Sequence, residues 1–173
     1  MELEVKKAIK GDKEALLNLI LKEKDNYYKL AYFYMKNEHD ALDILQEMII
    51  VVYKEISKLK KISSFYIWSK KILVNLCKKE LSKKNKFEEV DNLLSSEEKG
   101  FKDIENKIYL KFLIESLNND QKEVIKLKYY LDYSYDEIAN ILDIPLGTVK
   151  SRINKGINKI RKNIGGDIND RLG

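Results

Sequence analysis

An all-α fold, in two small helical domains joined by a flexible linker, is what three features of this sequence predict. Its 173 residues include only seven Gly and one Pro, too few to turn the chain every eight to twelve positions or so, as all-β folds require. Apolar residues recur at steps of three and four through most of the chain, the period of amphipathic helices. Between about 83 and 104 this period fades and small polar residues cluster, as in Ser95-Ser96-Glu97-Glu98-Lys99-Gly100, the composition of a linker. The length suits one large or two small domains. With 35% charged and 44% hydrophobic residues, the composition is globular and not disordered. The expected division is 1–82, linker 83–104 and 105–173.

Asp12 can cap a first helix over Lys13–Ile20. A second, rich in aromatic residues, covers Tyr27–Met35 and breaks at Lys36-Asn37-Glu38-His39. A third begins near Asp40, with an apolar series at Leu42, Leu45, Met48, Ile49, Val52, Tyr53 and Ile56. Lys58 to Ser64 reads as a basic connector, and a fourth helix runs from Phe65 to about Lys83. On that helix Phe65, Trp68, Ile72, Leu73 and Leu76 share one face, so Trp68 is assigned to the core, while Lys70, Lys71, Asn75 and Lys78 lie around the other.

In the second domain helices are expected at about 105–116, 119–131, 135–142 and 146–163. Asn118 with Gln121 resembles a capping box, and Ser134 with Glu137 has the regular S-x-x-E form. Asp143-Ile144-Pro145 supplies a tight break, with Asp143 where glycine would be usual; aspartate tolerates left-handed geometry. A helix of eight residues, a break of three and a long basic helix make a helix-turn-helix pattern.

The net charge of +5 is unevenly distributed. Residues 54–86 hold eleven Lys against Glu55 and Glu80, and residues 146–163 hold Lys150, Arg152, Lys155, Lys159, Arg161 and Lys162 with no acid. Two basic stretches are the electrostatic footprint of a polyanion binder. One cysteine (Cys77) and one histidine (His39) exclude an intramolecular disulfide and a structural zinc site, which needs four such ligands. Cys77 reads as a small, partly buried apolar residue and His39 as a surface one. No cofactor or metal is expected. Nor is an enzyme, because no nucleophile elbow, phosphate loop or paired-carboxylate motif occurs. The acidic start Met1-Glu2-Leu3-Glu4 lacks a signal peptide's apolar core, and the longest apolar run, Met48 to Tyr53, is too short to span a bilayer. Cytoplasmic localisation without membrane insertion is the expectation.

At roughly a hundred degrees per residue, Leu146, Val149, Ile153, Gly156, Ile157 and Ile160 gather on the inward face of the last helix. Ser151, Asn154, Lys155, Asn158 and Lys162 lie opposite, with Lys150 and Arg161 flanking one side and Arg152 and Lys159 the other. Small polar and cationic groups suit the donors and acceptors of the major groove. The flanking cations would sit over phosphates, positioning the helix without reading sequence. A basic surface helix that docks nothing is the alternative; turn, caps and polarity together favour DNA.

Tyr135-Asp136-Glu137-Ile138-Ala139, followed by Ile144-Pro145-Leu146-Gly147-Thr148-Val149-Lys150-Ser151-Arg152-Ile153, resembles the fourth region of bacterial sigma factors, most closely the extracytoplasmic-function (ECF) group. Asp40-Ala41-Leu42-Asp43-Ile44-Leu45-Gln46-Glu47 resembles the polymerase-binding helix of the second region, and Phe65-Tyr66-Ile67-Trp68 through Ile72-Leu73-Val74-Asn75 the promoter-melting helix. Gly11-Asp12 with Ala15 resembles the group's usual opening. The similarity covers nearly the whole chain except the linker. It implies core RNA polymerase and promoter DNA as partners, an anti-sigma factor as restraint, and no catalytic residue. Polymerase contact falls to Asp40, Asp43, Gln46 and Glu47. Minus-thirty-five contacts fall to Lys150, Ser151, Asn154 and Lys155, with Thr148 on a phosphate and Arg152 and Lys159 as flanking cations. The minus-ten element falls to Lys60, Lys61, Ser63 and Ser64 in the connector and to Lys71, Asn75 and Lys78 on the helix after it; which connector residue captures the unstacked base stays open. Asn118 stands where the group often has Pro, Lys122 where it often has Arg. Only Arg152, Arg161 and Arg171 among 33 basic residues are Arg, so bidentate guanine readout is scarce. A stand-alone helix-turn-helix regulator and a helical adaptor with no nucleic-acid role are the rival expectations.

Overall fold

The computed structural model describes residues 1–84 and 113–172, with side chains described to residue 83 and from 113 to 164. Every regular element among them is helical. The chain falls into two compact units, the first built from helices before residue 84 and the second mainly from helices after residue 113. The linker assigned to 83–104 lies, from residue 85, outside the described residues, as does the helix assigned to 105–116 apart from a helical stretch at 113–115.

The first unit comprises α1 (Glu2–Ile9), α2 (Lys13–Lys22), α3 (Lys24–Met35), α4 (Glu38–Glu55) and α5 (Phe65–Lys84), with 3-10 turns at Ile56–Lys58 and Ile62–Ser64. The first helix, α1, was not expected. Its buried residues, Val5 and Ala8, are too few and small to show a period. Gly11, at φ +97, makes the turn that a side chain would strain. Asp12 then caps α2 by accepting the Ala15 N–H at 3.0 Å. Helix α4 begins earlier than the sequence suggested: Asn37 is its N-cap, accepting the Asp40 N–H at 2.8 Å, so Glu38 and His39 form the first turn instead of a break.

Helix α3 packs on α4 and α5, and α1 on α2. The inward stripe of α4 is Ala41, Ile44, Met48 and Val52, a three-four-four spacing. That corrects the expected apolar series, because Leu42 and Tyr53 face outward at 43% and 45% exposure. On α5 the buried residues are Phe65, Ser69, Lys70, Leu73, Val74 and Cys77, while Trp68, Ile72 and Leu76 are only half-buried. The reason is polar. Ser69 donates to the Phe65 carbonyl at 2.9 Å and shares a 2.6 Å hydrogen bond with Tyr27 of α3, and the Lys70 ammonium lies 3.0 Å from the Glu23 carboxylate. Burial of these polar groups is tolerated because each is bonded. Burial also pushes the Cys77 thiol up to about 12, which keeps it unreactive.

Helix α3 ends with Lys36 at φ 60, its N–H bonded to the Tyr32 carbonyl at 2.8 Å. Left-handed geometry costs a lysine about 1 kcal/mol that glycine avoids. Lys36→Gly is therefore expected to stabilise the protein by about 1 kcal/mol, read as a midpoint shift in urea unfolding monitored by circular dichroism.

After residue 113 come α6 (Asn119–Tyr129), α7 (Tyr135–Leu142) and α8 (Leu146–Leu172); α8 runs nine residues past its expected end at 163. Both capping boxes form. Gln121 N–H donates to Asn118 Oδ1 at 2.9 Å with the reverse bond at 3.4 Å, and Glu137 N–H donates to Ser134 Oγ at 3.2 Å with the reverse at 2.8 Å. Helix α6 packs on α8 around Val124, Ile125, Leu127, Val149 and Ile153, all buried.

Candidate nucleic-acid interface

The turn into α8 is set by Asp143. It adopts φ 58, which lets the Ile144 N–H reach back to the Ala139 carbonyl at 3.0 Å, the closing bond of a Schellman motif. Pro145 then starts the next helix, its carbonyl accepting the Thr148 and Val149 N–H groups at 2.9 and 3.2 Å. Rotation of α8 about its axis is fixed by what it buries: Val149, Ile153 and Gly156. Gly156 sits against α6. A Cβ there would stand 2.4 Å from Ile125 Cδ1 and 3.5 Å from Gln121 Cβ, so its absence lets α6 and α8 approach closely.

With that face inward, Lys150, Ser151, Asn154 and Lys155 are all exposed, and Thr148 is half-buried at the helix start. A shallow cleft beside them is lined by Asn118, Gln121, Gly147, Thr148, Ser151 and Lys155, so the N-terminal ends of α6 and α8 meet at it. The two helix dipoles give this end of the unit a partial positive charge.

Arg152 and Lys159, the other two residues assigned to this interface, are engaged within the unit. The Arg152 guanidinium is ion-paired with Asp120 in the first turn of α6, and Lys159 donates to the Ser116 carbonyl at 2.6 Å. Asn163 donates to the Ser116 hydroxyl at 3.1 Å. The sequence could not show this, because the partners lie 32 and 43 residues away.

In the first unit, Lys60, Lys61 and Ser63 are exposed between the two 3-10 turns. Ser64 differs: it is half-buried and its hydroxyl donates to the Lys61 carbonyl at 2.7 Å, so it shapes the turn. On α5, Asn75 and Lys78 are exposed, Lys71 is half-buried and Lys70 is buried against Glu23. On α4, Asp43, Gln46 and Glu47 share an exposed face and Asp43 pairs with His39 at 3.2 Å. Asp40 is half-buried, and the Asn37 side chain donates to its carboxylate. Leu42 and Ile50, 43% and 52% exposed, flank the acidic face. Their eight-residue separation was the available signal, missed because Leu42 had been assigned inward.

Among the described residues, no three His, Cys, Asp or Glu side chains are grouped to hold a metal ion, and no helix is long and apolar enough to cross a membrane.

Two helical units, the second with a helix-turn-helix presenting a polar, cationic face, define a DNA-directed class of protein. Comparison with known families carries this further: residues 19–87 match Sigma-70 region 2 and residues 107–160 match Sigma-70, region 4. The chain is 32% identical to the ECF RNA polymerase sigma factor SigW of Bacillus subtilis (strain 168), covering 95% of this chain and 98% of that one. It is 30% identical to the ECF RNA polymerase sigma-E factor of Escherichia coli (strain K12), covering 86% of each. The fold is similar to that of CnrH in complex with the cytosolic domain of CnrY, with TM-score 0.68 and 17% identity over 96% of this chain and 97% of that one. It is also similar to the sigma factor RpoE in complex with the anti-sigma factor NepR from Bartonella quintana, with TM-score 0.61 and 19% identity over 86% and 95%. The chain belongs to the ECF group of sigma-70-type RNA polymerase sigma factors.

Proposed function

We propose that this protein binds core RNA polymerase and directs it to promoters through two contacts. Residues 105–173 read duplex DNA at the minus-thirty-five element, while residues 1–82 hold the polymerase and capture the opened minus-ten element, with 83–104 as the connection. The observation that carries this reading is the exposed set Lys150, Ser151, Asn154 and Lys155 on α8, opposite a face locked inward by Val149, Ile153 and Gly156. Serine, asparagine and lysine offer donors to base edges and phosphates, and Thr148 at the helix start suits a phosphate. Arg152 and Lys159, bonded within the unit, neighbour the DNA as flanking cations.

In the first unit, Lys60, Lys61 and Ser63 form the loop proposed to receive an unstacked base, with Ser64 holding its shape. Lys78, with Lys71, neutralises the backbone leading to it, and Asn75 donates a hydrogen bond to it. Asp43, Gln46 and Glu47, flanked by Leu42 and Ile50, form the polymerase contact, and Asp40 supports the start of that helix. An anti-sigma factor is proposed as a further partner. The function is regulatory and not enzymatic, and its place is the cytoplasm.

Run-off transcription with purified core enzyme on a library of promoter fragments tests the reading. Lys155→Ala and Asn154→Ala are each expected to lower transcription from a cognate promoter by about fivefold or more, the effect of losing one base-edge contact worth about 1 kcal/mol. Affinity for core enzyme should not change. Asp43→Lys is expected to show the reverse pattern, with impaired competition for core enzyme and an unchanged circular dichroism spectrum. Full activity of both α8 variants would overturn the assigned reading face.

A further inference from the structure

Arg152 is the one arginine in the first half of α8, next to Ser151 and two residues before Asn154. Arginine is the side chain best suited to read guanine, through paired bonds to O6 and N7 in the major groove. Yet its guanidinium is bonded to the Asp120 carboxylate, leaving Arg152 27% exposed and Asp120 61% exposed. Exposed ion pairs add little to stability, so the pairing matters more for where it holds the arginine than for the fold. Asp120 is well placed to persist there, because an acid in the first turn of α6 is favoured by the helix dipole. Both residues line the cleft that also contains Thr148, Ser151 and Lys155, within side-chain reach of any DNA docked on that face.

We propose that Asp120 is a specificity-determining residue: it tethers Arg152 outside the groove, so that sequence is read by Ser151, Asn154 and Lys155 and unspecific attraction to DNA is held down. This rests on the DNA-reading role of α8 proposed above. Release of Arg152 adds one mobile cation at the interface, which strengthens binding to any duplex by one more phosphate contact and blurs discrimination.

The test uses the full chain assembled with core RNA polymerase, a cognate promoter fragment and the same fragment with its minus-thirty-five element scrambled. Asp120→Asn is expected to raise affinity for the scrambled fragment by about threefold or more and to steepen the log–log salt dependence by about one. The preference for the cognate fragment should fall. In an Arg152→Ala background, Asp120→Asn is expected to lose this gain. Unchanged affinity and salt slope in Asp120→Asn would overturn the proposal, as would a loss of cognate binding, the result of a merely structural pair, or a gain that persists without Arg152. Lys155→Ala is measured alongside. If it fails to weaken cognate binding, the reading face itself is misassigned, a failure separable from that of the Asp120 tether.

Discussion

Gly156→Val is expected to destabilise the second unit by about 2–3 kcal/mol and to abolish promoter-directed transcription at a temperature where the wild type is active. The argument is steric. Even the first carbon of a side chain would fall 2.4 Å from Ile125 Cδ1, and Ile125 is buried with little room to move aside in a close-packed interior. Valine's branched Cβ brings two further methyls to the same contact, and overpacking of this kind costs about 1–3 kcal/mol. A glycine in mid-helix is itself unfavourable by roughly 1 kcal/mol relative to alanine, so the close approach of α6 and α8 must outweigh that. Differential unfolding should show a lowered transition for the second unit alone. If Gly156→Val unfolds with the wild-type midpoint, α6 and α8 are not in the contact described.

The second large effect is expected at Glu23. Glu23→Ala removes the carboxylate 3.0 Å from the buried Lys70 ammonium. Breaking a fully buried pair costs about 3–5 kcal/mol; because Glu23 keeps 24% side-chain exposure, about 2–3 kcal/mol is expected. Lys70→Met should cost less, since it replaces a buried charge with apolar volume instead of leaving one behind. Acid should narrow the difference. Burial alone would raise the Glu23 carboxyl, but hydrogen bonds from Asn26 and Lys70 and the Lys70 charge outweigh it and hold the group below its ordinary 4.5. A lowered carboxyl contributes stability that is complete above the unfolded value and disappears as pH falls through the folded one. The gap in unfolding free energy between wild type and Glu23→Ala should therefore be constant near neutrality and narrow below about pH 4.5. A gap independent of pH would exclude the ion pair as its cause.

Both sites lay partly within reach of sequence reasoning. Gly156 was placed inward by its position on the wheel, but nothing in the sequence named Ile125 as its neighbour. Lys70 was grouped with the outward cations of α5, and its burial goes with its pairing to Glu23, more than forty residues earlier. Separations of 32 and 43 residues hid the partners of Arg152 and Lys159. By contrast, the caps at Asp12, Asn118 and Ser134 and the left-handed Asp143 were legible because their bonds close within a few residues.

The order of these residues was sufficient to specify helices, their caps, the turn between α7 and α8 and the polar, cationic side of α8, since each depends on neighbours within about one helical turn. Packing alone decided which way Lys70, Trp68 and Leu42 face, that α1 exists as a helix, and that Arg152 is held by Asp120. Those outcomes depend on pairs brought together only when the helices pack, where burial and charge pairing outweigh local periodicity.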